Sequence, residues 1–186
     1  DDFTGEIAPQ YFGVGWTKVY LEKMAEFFAD LGRTKFTVLR HSNIYGPHDK
    51  YDLERSHMFG ATVTKVMTAS DGKIAVWGEG TEARDLLYID DLVHCVEQSI
   101  RRQSEPFGLY NIGYGQAFAV KDVVERIIAA SGRNIEITFD RAKPTIKTSL
   151  FLNCAHADAE INWRPQTDFQ DGIRKTLDWY RRHFQT

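Results

Sequence analysis

The sequence predicts an α/β protein with parallel strand pairing, and three observations predict it. Short β-branched or aromatic runs alternate with stretches of helical spacing from one end of the chain to the other. Sharp turn signals, notably Gly46-Pro47, follow strand-like runs. The apolar fraction, 42% of 186 residues, is that of an ordinary globular domain or parts of two.

The elements follow in order. Residues 14–31 place Val19, Leu21, Met24, Ala25, Phe28 and Leu31 near helical spacing and stop at Gly32. "FTVLR" (36–40) reads as a strand. "SHMFGATVTKVMTAS" reads as a helix with Ser56 as its N-cap. "KIAVWG" and "RDLLYI" read as strands. "DDLVHCVEQSIRR" reads as a helix whose Asp90 and Asp91 suit its positive end, acting mainly as caps. "GLYNIG" is a strand, "KDVVERIIAAS" a helix ended by Gly132, and "IEITF" a strand. The last helix, "FQDGIRKTLDWYRRHF", aligns Ile173, Leu177 and Tyr180 on one face. Trp163 and the "DWY" aromatics read as core packing.

Composition limits the function classes. A net charge of −3 without a basic run argues against nucleic acid as a partner. No apolar stretch approaches the ~20 residues that a membrane span needs. "DDFTGEIAPQ" is too acidic and polar for a signal peptide. Cys95 and Cys154 lie far apart without a CxxC, which fits free thiols in a reducing, cytoplasmic setting.

"YFGVGWTK" (11–18) poses the sharpest choice. Gly13 and Gly15 with Lys18 behind them suggest a phosphate-cradling loop, yet there is no third glycine and no convincing strand before them. The apolar spacing that follows favours the start of a helix carrying Lys18, with the two glycines loosening its first turn.

Several motifs then occur in sequence: "VLRHSNIYGPHDKYD", "SHMFGATV", "VWGEGTEARDLLYIDDLV", "YNIGYG", "INWRP" and "TLDWY". Together they resemble the extended short-chain dehydrogenase/reductase family of nucleotide-sugar epimerases, dehydratases and reductases, and most of all its GDP-fucose-synthase-like branch. The resemblance covers nearly the whole chain. It implies the C-terminal part of a Rossmann-type doubly wound parallel sheet plus a smaller α/β substrate-binding domain. Residues 1–45 and 89–113 would supply the last elements of the NAD(P)-binding domain, and residues 46–88 and 114–186 the substrate domain. It also implies a strand, a glycine-rich turn and a helix for the cofactor pyrophosphate, which the 186 residues do not include.

The resemblance assigns roles residue by residue. In the family a tyrosine four residues before a lysine performs acid–base work, one helical turn placing ammonium beside phenol. The cation lowers the phenol pKa from its free value of ~10 towards working pH. Counting back from Lys18 reaches Val14, so the phenol is missing from its expected place. Tyr11 lies seven residues back, two turns or ~10 Å away if helical. Lys18 is expected to contact the nicotinamide ribose of NAD or NADP, the alternative being a solvated lysine. Tyr11 and His57 are the remaining catalytic candidates.

Asn43 follows a buried strand where open parallel sheets bind ligands, and the resemblance puts it near nicotinamide and sugar. His57, with Ser56, matches a general acid/base for epimerisation, since an imidazole pKa of ~6.5 permits either protonation state; a structural first-turn histidine is the alternative. Arg84 offers a planar fork for a substrate diphosphate, or else a structural ion pair. Trp77 offers a flat face for a base or sugar, and Lys143, in "DRAKPTIK", falls where the branch has a substrate-contacting lysine. The expected partners are an NDP-sugar and a second copy of the chain, paired through the helix at 14–31. No metal site is expected.

Overall fold

Helices and strands alternate along the chain, and one strand, β4, joins two groups of them. The protein is described here by a computed structural model covering residues 5–143, 145 and 149–184. In order, the elements are a 3₁₀ turn at Pro9–Tyr11, α1 (Phe12–Asp30), β1 (Phe36–His41), β2 (Asn43–Tyr45), α2 (Met58–Thr68), β3 (Lys73–Trp77), β4 (Ala83–Tyr88) and α3 (Ile89–Arg102). Then come β5 (Phe107–Ile112), β6 (Ala117–Ala119), α4 (Val120–Ser131), β7 (Glu136–Asp140), β8 (Ser149–Leu150), α5 (Ala155–Ile161) and α6 (Phe169–Phe184).

Parallel pairing dominates. β1 runs parallel to β5 from Phe36↔Phe107 to His41↔Ile112, and β3 runs parallel to β7. The C-terminal half of β4 pairs with β2 in parallel, Asn43 facing Leu86. Its N-terminal half takes β6 antiparallel and β8 parallel, so Arg84 stands opposite Phe118 and Leu150. This is the mixed α/β architecture that the alternation of patterns predicts.

Two apolar clusters form. The larger packs Tyr45 and Phe59 with Val63, Val66, Val123, Ile127, Ile173 and Leu177 between α2, α4, α6 and the strands. The smaller joins Leu87, Cys95, Tyr110 and Ile112 to Ala157, Ile161 and Trp163. Trp163 is completely buried and donates its indole N–H to the Asp91 carbonyl at 3.0 Å, which confirms it as core. Ile173, Leu177 and Tyr180 are buried on one face of α6, as their spacing predicts.

Three local expectations need correcting. α1 begins at Phe12 and passes through both glycines, so they do not loosen it. Gly15 has a packing reason instead: a Cβ there would lie 2.6 Å from the Ile7 side chain, which closes over the helix. The N-cap of α2 is His57 rather than Ser56: His57 is extended (φ −73°, ψ 170°) just before Met58, while the Ser56 N–H is tied back to the Asp52 carbonyl. Asp91 does not cap its own helix either. Its carboxylate accepts the N–H groups of Gln166 and Thr167 at 3.0 and 3.1 Å, pinning the segment after Trp163 to α3.

α1 is the least buried of the α-helices. Ala29 is its only fully buried residue, while Tyr20, Leu21, Phe27 and Phe28 are largely exposed. No helix among the described residues is long and apolar enough to cross a membrane. Both cysteines are free.

Candidate functional site

A cavity of about 1390 Å³ opens where β1 and β2 end, between the start of α1, the loop after β2, the start of β4 and β8. Parallel strands aim their last residues at such a crevice, which is where open α/β sheets hold ligands. Lys18, Tyr11, Asn43, His57 and Arg84 all line it, brought together from residues 11–84 of the chain.

Each is positioned by a different element. Tyr11 is the last residue before α1, with φ −111° and ψ 9°, and Lys18 follows two turns later. Val14 is 56% exposed and does not line the cavity. Asn43 starts β2 and donates its side-chain N–H to the Asp85 carbonyl at 3.1 Å, which fixes its amide at the cavity edge. His57 makes no side-chain capping bond to α2, and its imidazole lines the cavity instead. Arg84 is half-buried on β4 and donates from Nη1 to the Ala83 carbonyl at 2.9 Å.

The floor depends on Asp85. This carboxylate, 2% exposed, accepts backbone N–H groups of Tyr114, Gly115 and Leu152 at 2.7, 3.2 and 3.1 Å. It ties the turn after β5 and the segment after β8 to β4, and Gly113 leaves room for it: a Cβ there would meet the carboxylate. Gly46 is equally constrained, with φ 143° and no space for a Cβ against Ile89. Tyr51 donates its hydroxyl to the Gly46 carbonyl at 2.8 Å, closing the loop that carries Pro47 and His48 into the cavity wall.

Two phenols line the cavity, and they differ chemically. Tyr45 is buried, and burial pushes its hydroxyl far above the ordinary tyrosine range, with the Asp91 charge adding to the effect. Such a phenol gives up its proton reluctantly. Tyr11 is 45% exposed.

Three expected substrate residues do not line the cavity: Ser56, Trp77 and Lys143. Trp77 and Lys143 face one another, the ammonium 5.6 Å from the ring centroid, with Trp77 54% exposed. Sequence reading also missed cavity residues. Asp85 carries a signal: it is a buried acidic residue in a strand whose other residues, Arg84 apart, are apolar. His41 and Lys50 carry none, because only the fold brings the end of β1 and the loop after β2 to the cavity.

The arrangement can bind an anionic, hydroxyl-bearing ligand. Lys18, Lys50 and Arg84 supply positive charge, Asn43 an amide, and His57 an imidazole that can exchange protons. The residues also fit one end of a nicotinamide dinucleotide: Lys18 and Asn43 suit ribose hydroxyls and the adjoining amide. They do not fit its pyrophosphate, because Gly13 and Gly15 lie within a helix rather than in a turn that could cradle phosphates. Among the described residues no cluster of three or more His, Cys, Asp or Glu side chains could hold a metal ion.

Known proteins resemble this chain over most of its length. The family described as "NAD dependent epimerase/dehydratase family" matches residues 11–113. The chain is 27% identical over 178 residues to a GDP-L-fucose synthase from Sinorhizobium fredii, covering 94% of the chain and 56% of that protein. It is 25% identical over 182 residues to a GDP-L-colitose synthase from Yersinia pseudotuberculosis, covering 95% of the chain and 58% of that protein. Among solved structures, TunA, an NAD-dependent NDP-hexosamine 5,6-dehydratase, superposes with a TM-score of 0.71 at 26% identity, over 89% of the chain and 52% of its own. A GDP-D-glycero-L-gluco-heptose synthase from Campylobacter jejuni shares the fold, with a TM-score of 0.79 at 18% identity over 97% of the chain and 63% of its own. The chain thus spans a little over half the length of the curated relatives it matches.

Proposed function

The chain belongs to the NAD dependent epimerase/dehydratase family, and from that premise we propose that it supplies the catalytic helix and substrate side of an NAD(P)-dependent nucleotide-sugar epimerase, dehydratase or reductase. One observation carries the reading: Lys18, Asn43, His57 and Arg84 converge on one cavity at the ends of parallel strands. In this reading residues 1–45 and 89–113 belong to the cofactor side, and residues 46–88 and 114–186 to the sugar side.

The nicotinamide cofactor, when bound, accepts or returns a hydride at a sugar ring carbon. Lys18 and Asn43 hold the ribose end of that cofactor. Arg84 grips the diphosphate of the NDP-sugar with two parallel N–H groups, fixing the sugar's distance from the cavity floor. Trp77 and Lys143, an exposed pair beyond the cavity, offer the substrate a further contact, while Ser56, its hydroxyl buried, supports the start of the His57 helix. His57 moves protons at carbons next to the reacting one. Tyr11 contributes a hydroxyl at the cavity edge. It lies two turns from Lys18.

Isothermal titration with GDP, UDP, CDP and dTDP tests the reading. Binding of at least one of them, lost on Arg84→Ala, is the expected result. Four flat titrations refute it.

A second reading is favoured by a specific residue. Val14 stands where the family phenol is expected, which suits a nucleotide-sugar-binding homologue without turnover, or a partner that completes another chain. Nucleotide binding without any hydride transfer in the complete protein distinguishes it.

A further inference from the structure

Resting on the nucleotide-sugar reading, we propose that His41 is the acid–base residue that handles the sugar hydroxyl at the hydride-transfer carbon. His41 is the last residue of β1, and its exposed side chain lines the same cavity as Lys18 and Tyr11. Its backbone is held on both sides. It pairs with Ile112 across the parallel ladder, and the next residue, Ser42, donates its N–H to the Ile112 carbonyl at 2.8 Å.

The imidazole is held as well. Nδ1 lies 2.8 Å from the Ser42 carbonyl oxygen. A carbonyl oxygen only accepts, so Nδ1 must carry the proton of that bond. In the neutral ring the lone pair is then on Nε2. A backbone carbonyl fixing one nitrogen and leaving the other as base is the arrangement by which histidines are tuned for proton transfer. The Ser42 backbone is itself tied to β5 through its N–H, so the carbonyl that meets Nδ1 belongs to a held main chain rather than to a mobile side chain.

The step balances. Nε2 takes the hydroxyl proton and the O–H electron pair becomes the second C–O bond; the C–H pair would leave as hydride, for which an oxidised nicotinamide dinucleotide, its ribose end held by Lys18 and Asn43, would be the acceptor. In the reverse direction imidazolium Nε2 returns the proton to the forming alkoxide. Nδ1 keeps its proton and its bond to Ser42 throughout.

The two phenols of the cavity and the residue at the family position serve this step less well. Tyr45 holds its proton too tightly because it is buried. Val14 has no proton to move, and Tyr11 is two turns from the cation that would activate it.

The test uses the chain with ¹⁵N-labelled histidine, read by long-range ¹H–¹⁵N correlation, with His41→Gln assigning the resonance. At a pH where the ring is neutral, His41 should show its proton on Nδ1, and UDP-glucose or GDP-mannose should move Nε2 while Nδ1 keeps its pattern. In the complete protein His41→Gln should lower kcat by ~10²–10⁴-fold while KM changes less than ~3-fold. A neutral ring protonated on Nε2 overturns the proposal. So does an Nε2 resonance that stays still while calorimetry shows the sugar nucleotide bound, and this outcome leaves the nucleotide-sugar reading standing. If neither sugar nucleotide binds, that reading fails and the role of His41 fails with it.

Discussion

Arg40 grips Glu22 at two points, Nε to Oε1 at 2.8 Å and Nη2 to Oε2 at 2.6 Å, and this pair docks α1 against β1. Both side chains are partly buried, and α1 otherwise contributes one fully buried residue. The pair therefore governs the angle at which Lys18 reaches the cavity.

Glu22→Gln should destabilise the protein by roughly 1.5–3 kcal/mol, the range for hydrogen bonds to charged groups. Arg40→Lys should cost a part of that amount, because a lysine keeps the charge but cannot make both contacts. Urea unfolding midpoints of the two variants check this, with near-wild-type values for both counting against it.

Arg84→Ala should weaken nucleoside-diphosphate binding by roughly 1.5–3 kcal/mol, about 10- to 150-fold. Arg84→Lys should regain a fraction, since it keeps the charge and loses the fork. Calorimetry on folded variants, verified by circular dichroism, decides between this role and a purely structural one, for which nucleotide affinity would not change.

The exposed apolar side chains of α1 predict self-association. Tyr20, Leu21, Phe27 and Phe28 are each between 45 and 62% exposed on one helix, more apolar surface than a single chain needs to leave in water. Light scattering across a concentration series should show a dimer, and Phe27→Lys with Tyr20→Lys should shift it towards monomer. A constant monomer mass at high concentration refutes the pairing.

Burial pushes the Cys95 thiol up to about 12. The folded chain then keeps this proton after the unfolded chain has lost it, so stability is intact below the free thiol range and falls as pH rises through it. Each pH unit above ~8.5 should remove up to about 1.4 kcal/mol through this group, with Cys154, also raised, adding to the slope. Unfolding curves between pH 8 and 10 should flatten in Cys95→Ala. An unchanged slope would mean that the thiol titrates normally.

The long elements were legible because their patterns are local. α6 was read to the residue, since Ile173, Leu177 and Tyr180 recur on one face and a polar turn precedes them. β2, β6 and β8 were not, because strands of three, three and two residues exist only through their partner β4. Ser56 was misread for a similar reason: a good capping side chain predicts a cap, but the bond from its N–H back to Asp52 pulls it out of position. In the site, Arg84 and His57 were found by motif and lie together. Trp77 and Lys143 were found by motif and lie apart from the cavity, because strand β3 turns Trp77 towards Lys143. His41 gave no sequence signal, since its chemistry comes from the Ser42 carbonyl that the folded backbone sets beside Nδ1.

The last prediction concerns "YFGVGWTK". α1 is regular through Val14, so a side chain there sits one turn from Lys18, whereas Tyr11 sits two turns away. A phenol introduced by Val14→Tyr would have the Lys18 ammonium beside it and a pKa drawn down towards neutrality. Val14 is 56% exposed, so the larger ring meets no core obstacle. In the complete protein this variant should raise turnover, by as much as the ~10²–10⁴-fold that general acid–base assistance supplies if no other group fills the role. With His41 already serving, the gain in wild-type background should be small, and it should become large in His41→Gln. Tyr11→Phe should leave turnover within a few-fold of wild type. Steady-state rates for the three single variants and the Val14→Tyr/His41→Gln double variant check this. If Tyr11→Phe abolishes turnover while Val14→Tyr has no effect in either background, then Tyr11 reaches the reacting hydroxyl itself, and the proton follows the 3₁₀ turn ahead of α1 instead of the helix.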